Sequence, residues 1–327
     1  MPADFQSMFV HPLLDLGEAE DPAFRGVLSP QPEVGATREG VNDAFLGQAE
    51  DYYKKYQGFD YWRSLIAAAA RRVGANDPRL IVEFGCGFGN STLPMLDLFP
   101  NATIVATDIS PNLLSILHRL LESRGMTDRC IAVAMDAHKP YIVPGIADLV
   151  VGSAILHHLS EPGQFVAEAT RVLKPGSSAV FFEPFEAGLA ILRVACQEMA
   201  AEAARGDHTG PFVDFAVNIS KMLEPQVLRR VPNWRDLDDK WAFPRSVLQS
   251  IADATNTELI VYPLHDNKAQ FRRHFTYMIE AYGGLKREDM PDWAWKPFDR
   301  FDNDTFSPEM LTDLPIEGCV IFRKKDG

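Results

Sequence analysis

Three glycines set two apart in Glu83-Phe84-Gly85-Cys86-Gly87-Phe88-Gly89 form the segment of this chain best suited to holding a ligand. Glycine lets a backbone turn tightly and come close to a bound group. A helix that follows such a loop turns its first N–H groups into the same space. Taken alone, the segment is equally a plain strand-to-helix turn. Its neighbours narrow the chemistry. The dinucleotide fingerprint G-x-G-x-x-G needs a glycine where this chain has Asn90. Glu83, at the loop entrance, would repel a pyrophosphate but would suit a ligand carrying an ammonium and a sulfonium. Asp108 follows 19 residues after Gly89, where doubly wound folds place the acid that binds ribose hydroxyls. Asp136 and Ala137 come after the next apolar run.

His157 and His158 are a second candidate group. Histidine titrates near neutrality and can serve as a general base or hold a substrate in place. The alternative is that the pair only shapes its loop. Other candidates have plainer readings. Cys86 has no His or Lys beside it in sequence, which favours packing over a nucleophile. Glu183 ends an apolar run and either faces a ligand or caps a helix. His265-Asp266-Asn267 contains metal-ligand types, but consecutive residues rarely converge on one ion. Asp236, Asp238 and Asp239 read as a solvated acidic turn.

These residues need elements to position them. Short apolar runs at Leu80-Ile81-Val82, 103–106, 131–134, 149–151 and 179–182 read as strands buried on both faces. Helical patterns lie between most of them. Ser110-Pro111 is a cap followed by a first-turn proline, and Ser160-Glu161-Pro162 opens another helix. Strands alternating with helices give a parallel sheet, and its carboxyl edge is where ligands bind. The glycine loop, both acids and both histidines all fall at strand ends. Upstream, residues 1–40 carry Pro12, Pro22, Pro30 and Pro32 with few periodic apolar positions and read as an irregular arm. Two aromatic helices follow, at about 42–57 and 59–73. A helical run at about 245–254 leads to a strand at 258–262, and the last strand is 319–322.

The totals agree with a folded, acidic protein. Of 327 residues, 32 are Lys or Arg and 45 Asp or Glu, a formal net charge of −13. That balance disfavours a nucleic-acid partner, because phosphate affinity comes from clustered Lys and Arg. The four cysteines form no CxxC pair, which fits a reducing compartment. The first ten residues lack a basic and then apolar signal pattern, and no long uncharged apolar window occurs. The expectation is a cytoplasmic protein without a membrane partner; the sequence leaves its oligomeric state open.

In order and spacing, the motifs resemble the class I S-adenosylmethionine-dependent methyltransferases. The resemblance rests on Glu83-x-Gly85-x-Gly87-x-Gly89, Asp108, Asp136-Ala137, Asp148-Leu149-Val150 with Leu156-His157-His158-Leu159, and Arg171-Val172-Leu173-Lys174-Pro175-Gly176. Within that class, the chain is similar to small-molecule methyltransferases related to quinone-biosynthesis enzymes. The resemblance implies a Rossmann-like α/β sheet of order 3-2-1-4-5-7-6 with its last strand antiparallel. It implies S-adenosyl-L-methionine as cofactor and S-adenosyl-L-homocysteine as product. Glu83 and the backbone at Gly85 and Gly87 would hold the methionine part, Cys86 and Gly89 belong to the same cofactor-binding loop, and Asp108 would bind both ribose hydroxyls. Ile109 would lie against adenine, Asp136 would accept its amino group, and Ala137 would contribute a backbone N–H. Ser153 completes the expected cofactor set, and His157 and His158 are the catalytic candidates. Metal-assisted quinone O-methyltransferases carry a further acid where Ala154 stands, so no metal is expected.

The expected division is an arm with cap helices (1–78), a cofactor-binding half (79–184), and helical insertions at 185–242 and 263–315. Core segments follow these insertions at 243–262 and 316–327. Both insertions leave strand ends on the ligand edge and are aromatic, so they are expected to form lids over a largely apolar pocket. The leading expectation is methyl transfer to a small apolar or aromatic metabolite, with oxygen favoured over nitrogen or carbon. Two alternatives stand beside it. One is a cyclisation or rearrangement with the cofactor structural, because fold does not fix function. The other is a non-catalytic cofactor-binding protein.

Overall fold

A computed structural model describes residues 4–36, 41–228, 232–265 and 268–326, with the backbone alone for 225–228. Among the described residues, nine strands form one sheet: β1 (Leu13–Asp15), β2 (Val27–Pro30), β3 (Leu80–Phe84), β4 (Thr103–Asp108), β5 (Cys130–Ala134), β6 (Ala147–Ser153), β7 (Leu173–Pro184), β8 (Thr257–Pro263) and β9 (Glu317–Lys324). Their order is β1-β2-β5-β4-β3-β6-β7-β9-β8. The seven strands from β3 onward therefore follow the expected 3-2-1-4-5-7-6 order. Pairing is parallel from β2 through β5, β4 and β3 to β6, with Glu83 beside Ala106 and Val151. Parallel strands covered on both faces need continuous apolar runs, and Ile81, Val82, Val105, Val150 and Val151 are buried accordingly.

The helices in order are α1 (Leu16–Ala19), α2 (Ala49–Lys55), α3 (Phe59–Val73), α4 (Thr92–Leu98), α5 (Pro111–Arg124), α6 (Pro162–Val172), α7 (Glu186–Arg205), α8 (Pro211–Leu228), α9 (Arg245–Ala254), α10 (Gln270–Ala281), α11 (Asp292–Arg300) and α12 (Pro308–Asp313). Local chemistry sets several of their ends. Ser110 caps α5 by accepting from the Leu113 N–H, Pro111 opens its first turn, and Gly125 closes it at φ 63°. Gly74, at φ 75°, closes α3 in the same way.

The first forty residues depart from the irregular arm expected of them. β1 and β2 pair antiparallel, and β2 joins β5. Strands of three and four residues flanked by prolines carry too little alternation to be seen in sequence; a neighbouring strand with open N–H and C=O groups decides them. The single helix expected at 42–57 is a 3-10 turn, Asp43–Phe45, followed by α2.

The chain divides into two compact units. Unit 1 comprises 1–181, 249–260 and 320–327, and holds most of the sheet; unit 2 comprises 182–248 and 261–319. Unit 2 has its own core, in which Phe271, Phe275 and Phe298 are fully buried and Trp295 nearly so. The Phe275 and Phe298 rings stack at 4.3 Å. Most aromatic residues of the two insertions are thus consumed by that core.

Candidate functional site

The residues singled out in unit 1 meet at the carboxyl ends of β3, β4, β5 and β6. The glycine loop joins β3 to α4, with Gly85, Gly87 and Gly89 at φ 66°, 53° and 95°. These are left-handed conformations that side chains resist. Gly85 and Gly89 are also crowded: a Cβ would come within 2.8 Å of Ile155 Cδ1 and 2.5 Å of Leu117 Cδ1. At Gly87 the nearest atom is 3.9 Å away, so this glycine is needed for its backbone angle. The expected helix at Asn90 starts two residues later, at Thr92.

Hydrogen bonds tie the strand ends together. Gly87 N donates to Asp108 Oδ2 at 2.8 Å and Ser110 N to Asp108 Oδ1 at 2.9 Å. Cys86 N donates to the Thr107 carbonyl, and Met135 N to the Asp108 carbonyl, which sets Asp136 beside Asp108. Asp136 Oδ1 accepts from both the backbone N and Nδ1 of His138, each at 2.9 Å. His138 holds the Asp136 carboxyl below the usual carboxylate range. Ala137 is half-buried beside it. Ile109 is 39 % exposed, an apolar side chain left open at the same edge. Ser153 ends β6, and its buried Oγ has no hydrogen-bond partner. Ala154 follows at φ 59°, a strained angle for alanine.

Glu83 differs from its expected placement on the ligand. It is fully buried, and its two oxygens accept from the hydroxyls of Ser91 and Thr92, the latter at 2.5 Å. Its side chain therefore braces the start of α4, and the glycine backbone is what borders the open space. Burial raises its pKa from the ordinary 4.5 to about 7, with Asp108 adding to the rise. Burial also raises Asp108. Burial pushes the Cys86 thiol well up, with Glu83 and Asp108 acting in the same direction. That is the opposite of what a nucleophilic cysteine requires. Among the described residues, no lysine or arginine stands among the neighbours that move Glu83 or Asp108. A ligand with positive charge therefore fits this edge electrostatically.

The histidine pair lies in a 3-10 turn, Leu156–His158, after β6. The two rings are 4.0 Å apart, with His157 buried and His158 half-buried. Phe45 meets the His158 ring edge-to-face at 6.0 Å.

Several supporting residues escaped the sequence reading. Asn90 clamps the glycine loop to the aromatic helices: its Oδ1 accepts from Gly58 N at 2.8 Å, and its Nδ2 donates to the Tyr56 carbonyl at 2.6 Å. Phe88 is buried among Tyr52, Tyr53 and Phe59. Ser110 Oγ donates to the Phe45 carbonyl. Arg171 anchors the segment after Asp136 by donating to the Ile142 and Pro140 carbonyls at 2.8 and 2.9 Å. Asp148 accepts from Arg79 N, Leu80 N and Lys174 Nζ, and so fixes the opposite ends of β3 and β6. The motifs around Arg171 and Asp148 were visible in sequence, but the partners that make them anchors, such as Ile142, Pro140, Arg79 and Lys174, are 26 to 69 residues away.

Among the described residues, unit 2 also holds titratable groups around a small depression, which is lined by His265, Gln270, Arg273, His274 and Glu317, among others. Burial lowers the His274 pKa, against a smaller opposing pull from Glu317. Asp266 and Asn267, read with His265 as metal-ligand types, lie outside the described residues. No helix among the described residues is long and apolar enough to cross a membrane.

Comparison with known proteins agrees with this geometry. The family model described as "Methyltransferase domain" matches residues 82–181, which run from β3 into β7. The malonyl-[acyl-carrier protein] O-methyltransferase of Halalkalibacterium halodurans is 30 % identical over 118 residues, 34 % of this chain and 41 % of that protein. The trans-aconitate 2-methyltransferase of Methylobacterium radiotolerans is 29 % identical over 173 residues, 52 % of this chain and 62 % of that protein. The chain thus spans less than two thirds of the curated relatives it matches. Among solved structures, a phosphoethanolamine N-methyltransferase 2 of Haemonchus contortus, in complex with phosphomonomethylethanolamine and S-adenosylhomocysteine, superposes with a TM-score of 0.50. That match is 13 % identical and covers 88 % of this chain and 59 % of that chain, a likeness of fold. Residues 82–181 thus form a methyltransferase domain, and the strand order and glycine loop around it are those that the resemblance to the class I, S-adenosylmethionine-dependent methyltransferases implies.

Proposed function

We propose that the protein transfers a methyl group from S-adenosyl-L-methionine to a small metabolite. The observation that carries the reading is the bond from Gly87 N to Asp108 Oδ2, which joins the glycine loop to the acid at the end of the neighbouring strand. Gly87 N and Ser110 N each donate to a different Asp108 oxygen, and the Ile109 N–H acts on the same carboxylate. A carboxylate has about four acceptor positions, so room remains for a ribose hydroxyl. Asp136 accepts from the adenine amino group, Ala137 contributes its N–H, and Ile109 covers the ring. The backbone at Gly85, Cys86, Gly87 and Gly89 borders the methionine part, with Ser153 at the next strand end. Glu83 acts from behind, fixing Ser91 and Thr92 and adding negative charge that favours a sulfonium.

The cofactor supplies an activated methyl group on a positively charged sulfur. The chain's residues then need to align an acceptor, exclude water and take a proton from it. His158, the more exposed of the pair, is the general base in this reading, and His157 supports its ring. We place substrate selection in unit 2, which the chain enters from the ends of β7 and β8. An oxygen acceptor is preferred, in line with the O-methyltransferase among the relatives.

Titration calorimetry with S-adenosyl-L-homocysteine tests the cofactor site. Asp108→Ala should weaken binding about ten- to a hundredfold, from the loss of hydrogen bonds to a charged group. An unchanged affinity would remove Asp108 from the site. His158→Gln should lower turnover much more than cofactor affinity; equal loss of both would argue against a base.

A further inference from the structure

We infer that His138 is a positioning residue that reserves one oxygen of Asp136 for a ligand's amino group, so that the pair selects a 6-amino purine over a 6-oxo purine. The inference rests on the proposed adenosyl site. It starts from an asymmetry in the carboxylate. Both hydrogen bonds that Asp136 accepts from its side chain's described partners fall on Oδ1, one from His138 N and one from His138 Nδ1, each at 2.9 Å. Oδ2 is left open on a side chain that is 33 % exposed.

The imidazole has no second task. Its Nε2 is buried and without a hydrogen-bond partner. With Asp136 as acceptor, the hydrogen is assigned to Nδ1, and Nε2 carries a covered lone pair that a ligand does not reach. His138 therefore acts through Asp136. The two N–H groups converge on one oxygen, which fixes the rotation of the carboxylate and the direction of the other oxygen. The same contacts hold the carboxyl in its ionised, acceptor-only form at neutral pH.

The frame under the pair is rigid in the same sense. Lys139 N donates back to the Asp136 carbonyl at 3.0 Å. Ser29 Oγ holds the Ala134 carbonyl, and Val10 N the Tyr141 carbonyl, each at 2.9 Å. Arg171 holds Pro140 and Ile142. The loop thus has anchors on both sides of Asp136, and the carboxylate cannot easily turn to suit another ring. An ionised oxygen opposite an amino group makes a charge-assisted bond. Opposite a keto oxygen, the same atom meets a second acceptor. Sites built to hydrogen-bond a donor reject the analogue lacking it strongly, because buried polar groups are left unpaired.

The experiment compares S-adenosyl-L-homocysteine with S-inosyl-L-homocysteine by titration calorimetry on the full chain. The intact protein should prefer the amino compound by about a hundredfold or more. His138→Phe keeps a ring without donors; it should weaken the amino compound about tenfold and leave the oxo compound within about twofold, so the preference shrinks. His138→Asn places an amide N–H near the position of Nδ1 and should recover most of the preference. If His138→Phe folds poorly, as judged by its melting temperature, Asp136→Asn gives the second reading, since an amide offers a donor and should narrow or reverse the preference. Equal weakening of both compounds by His138→Phe would overturn the inference, as would a preference that Asp136→Asn leaves intact. If the intact protein bound neither compound, the adenosyl site itself would fall, a result distinct from binding without selectivity.

Discussion

Glu83 shows how burial redirects a residue that sequence assigns to the ligand. A carboxylate at the mouth of a glycine loop reads as a ligand contact, but its oxygens point to Ser91 and Thr92. The consequence is measurable in the free protein. Burial lifts its pKa from 4.5 to about 7, so the folded state holds this proton more tightly than the unfolded state. The group's contribution to stability is full below pH 4.5 and is lost as pH rises toward 7. A gap of that size corresponds to on the order of 3 kcal/mol. Glu83→Gln does not titrate, so its urea midpoint should vary less between those pH values than that of the unaltered protein. Parallel pH profiles would assign the slope to another group.

At the scale of elements, the glycine loop is held from outside by the aromatic helices. Asn90 stands where a dinucleotide-binding loop has glycine, and its amide bridges Tyr56 and Gly58 at the junction of α2 and α3. Asn90→Gly would restore the fingerprint yet remove both bonds, at a cost of about 2 kcal/mol. The expected outcome is a lower melting temperature and faster proteolysis at 55–58; unchanged proteolysis would show that Phe88 packing alone holds these helices. Arg171 has the corresponding role for the loop after β5. Arg171→Ala leaves two carbonyls without their charged donor and should cost about 2–4 kcal/mol. Amide hydrogen exchange should quicken at 135–142, and nucleoside affinity should fall with it. Fast exchange confined to α6 would place the effect elsewhere.

For the whole molecule, the division into two units separates two kinds of effect. All residues proposed to meet the cofactor lie in unit 1, while unit 2 is organised around its own aromatic core. Phe298→Leu, at a fully buried ring stacked on Phe275, should destabilise by about 1–3 kcal/mol. If substrate selection belongs to unit 2, this variant should raise KM for the acceptor while S-adenosyl-L-homocysteine affinity stays within about twofold. A parallel loss of nucleoside affinity would contradict that separation of roles.

The sequence by itself determined the parallel core and the strand-end positions of Gly85, Gly87, Gly89, Asp108, Asp136 and His157. Short apolar runs, caps such as Ser110-Pro111 and glycines at forced backbone angles act within a few residues, so local spacing reports them. Tertiary structure alone decided the rest. β1 and β2 exist because β5 offers them an edge to pair with. Glu83 faces α4 because its own strand is buried on both sides and the hydroxyls of Ser91 and Thr92 satisfy its oxygens. Most of the aromatic residues of the two insertions form the core of unit 2, because burying those rings releases more free energy than leaving them at an open surface. His138 sits only two residues from Asp136, yet its task follows from a buried ring nitrogen and from a loop whose carbonyls are held by Ser29, Val10 and Arg171, all distant in sequence.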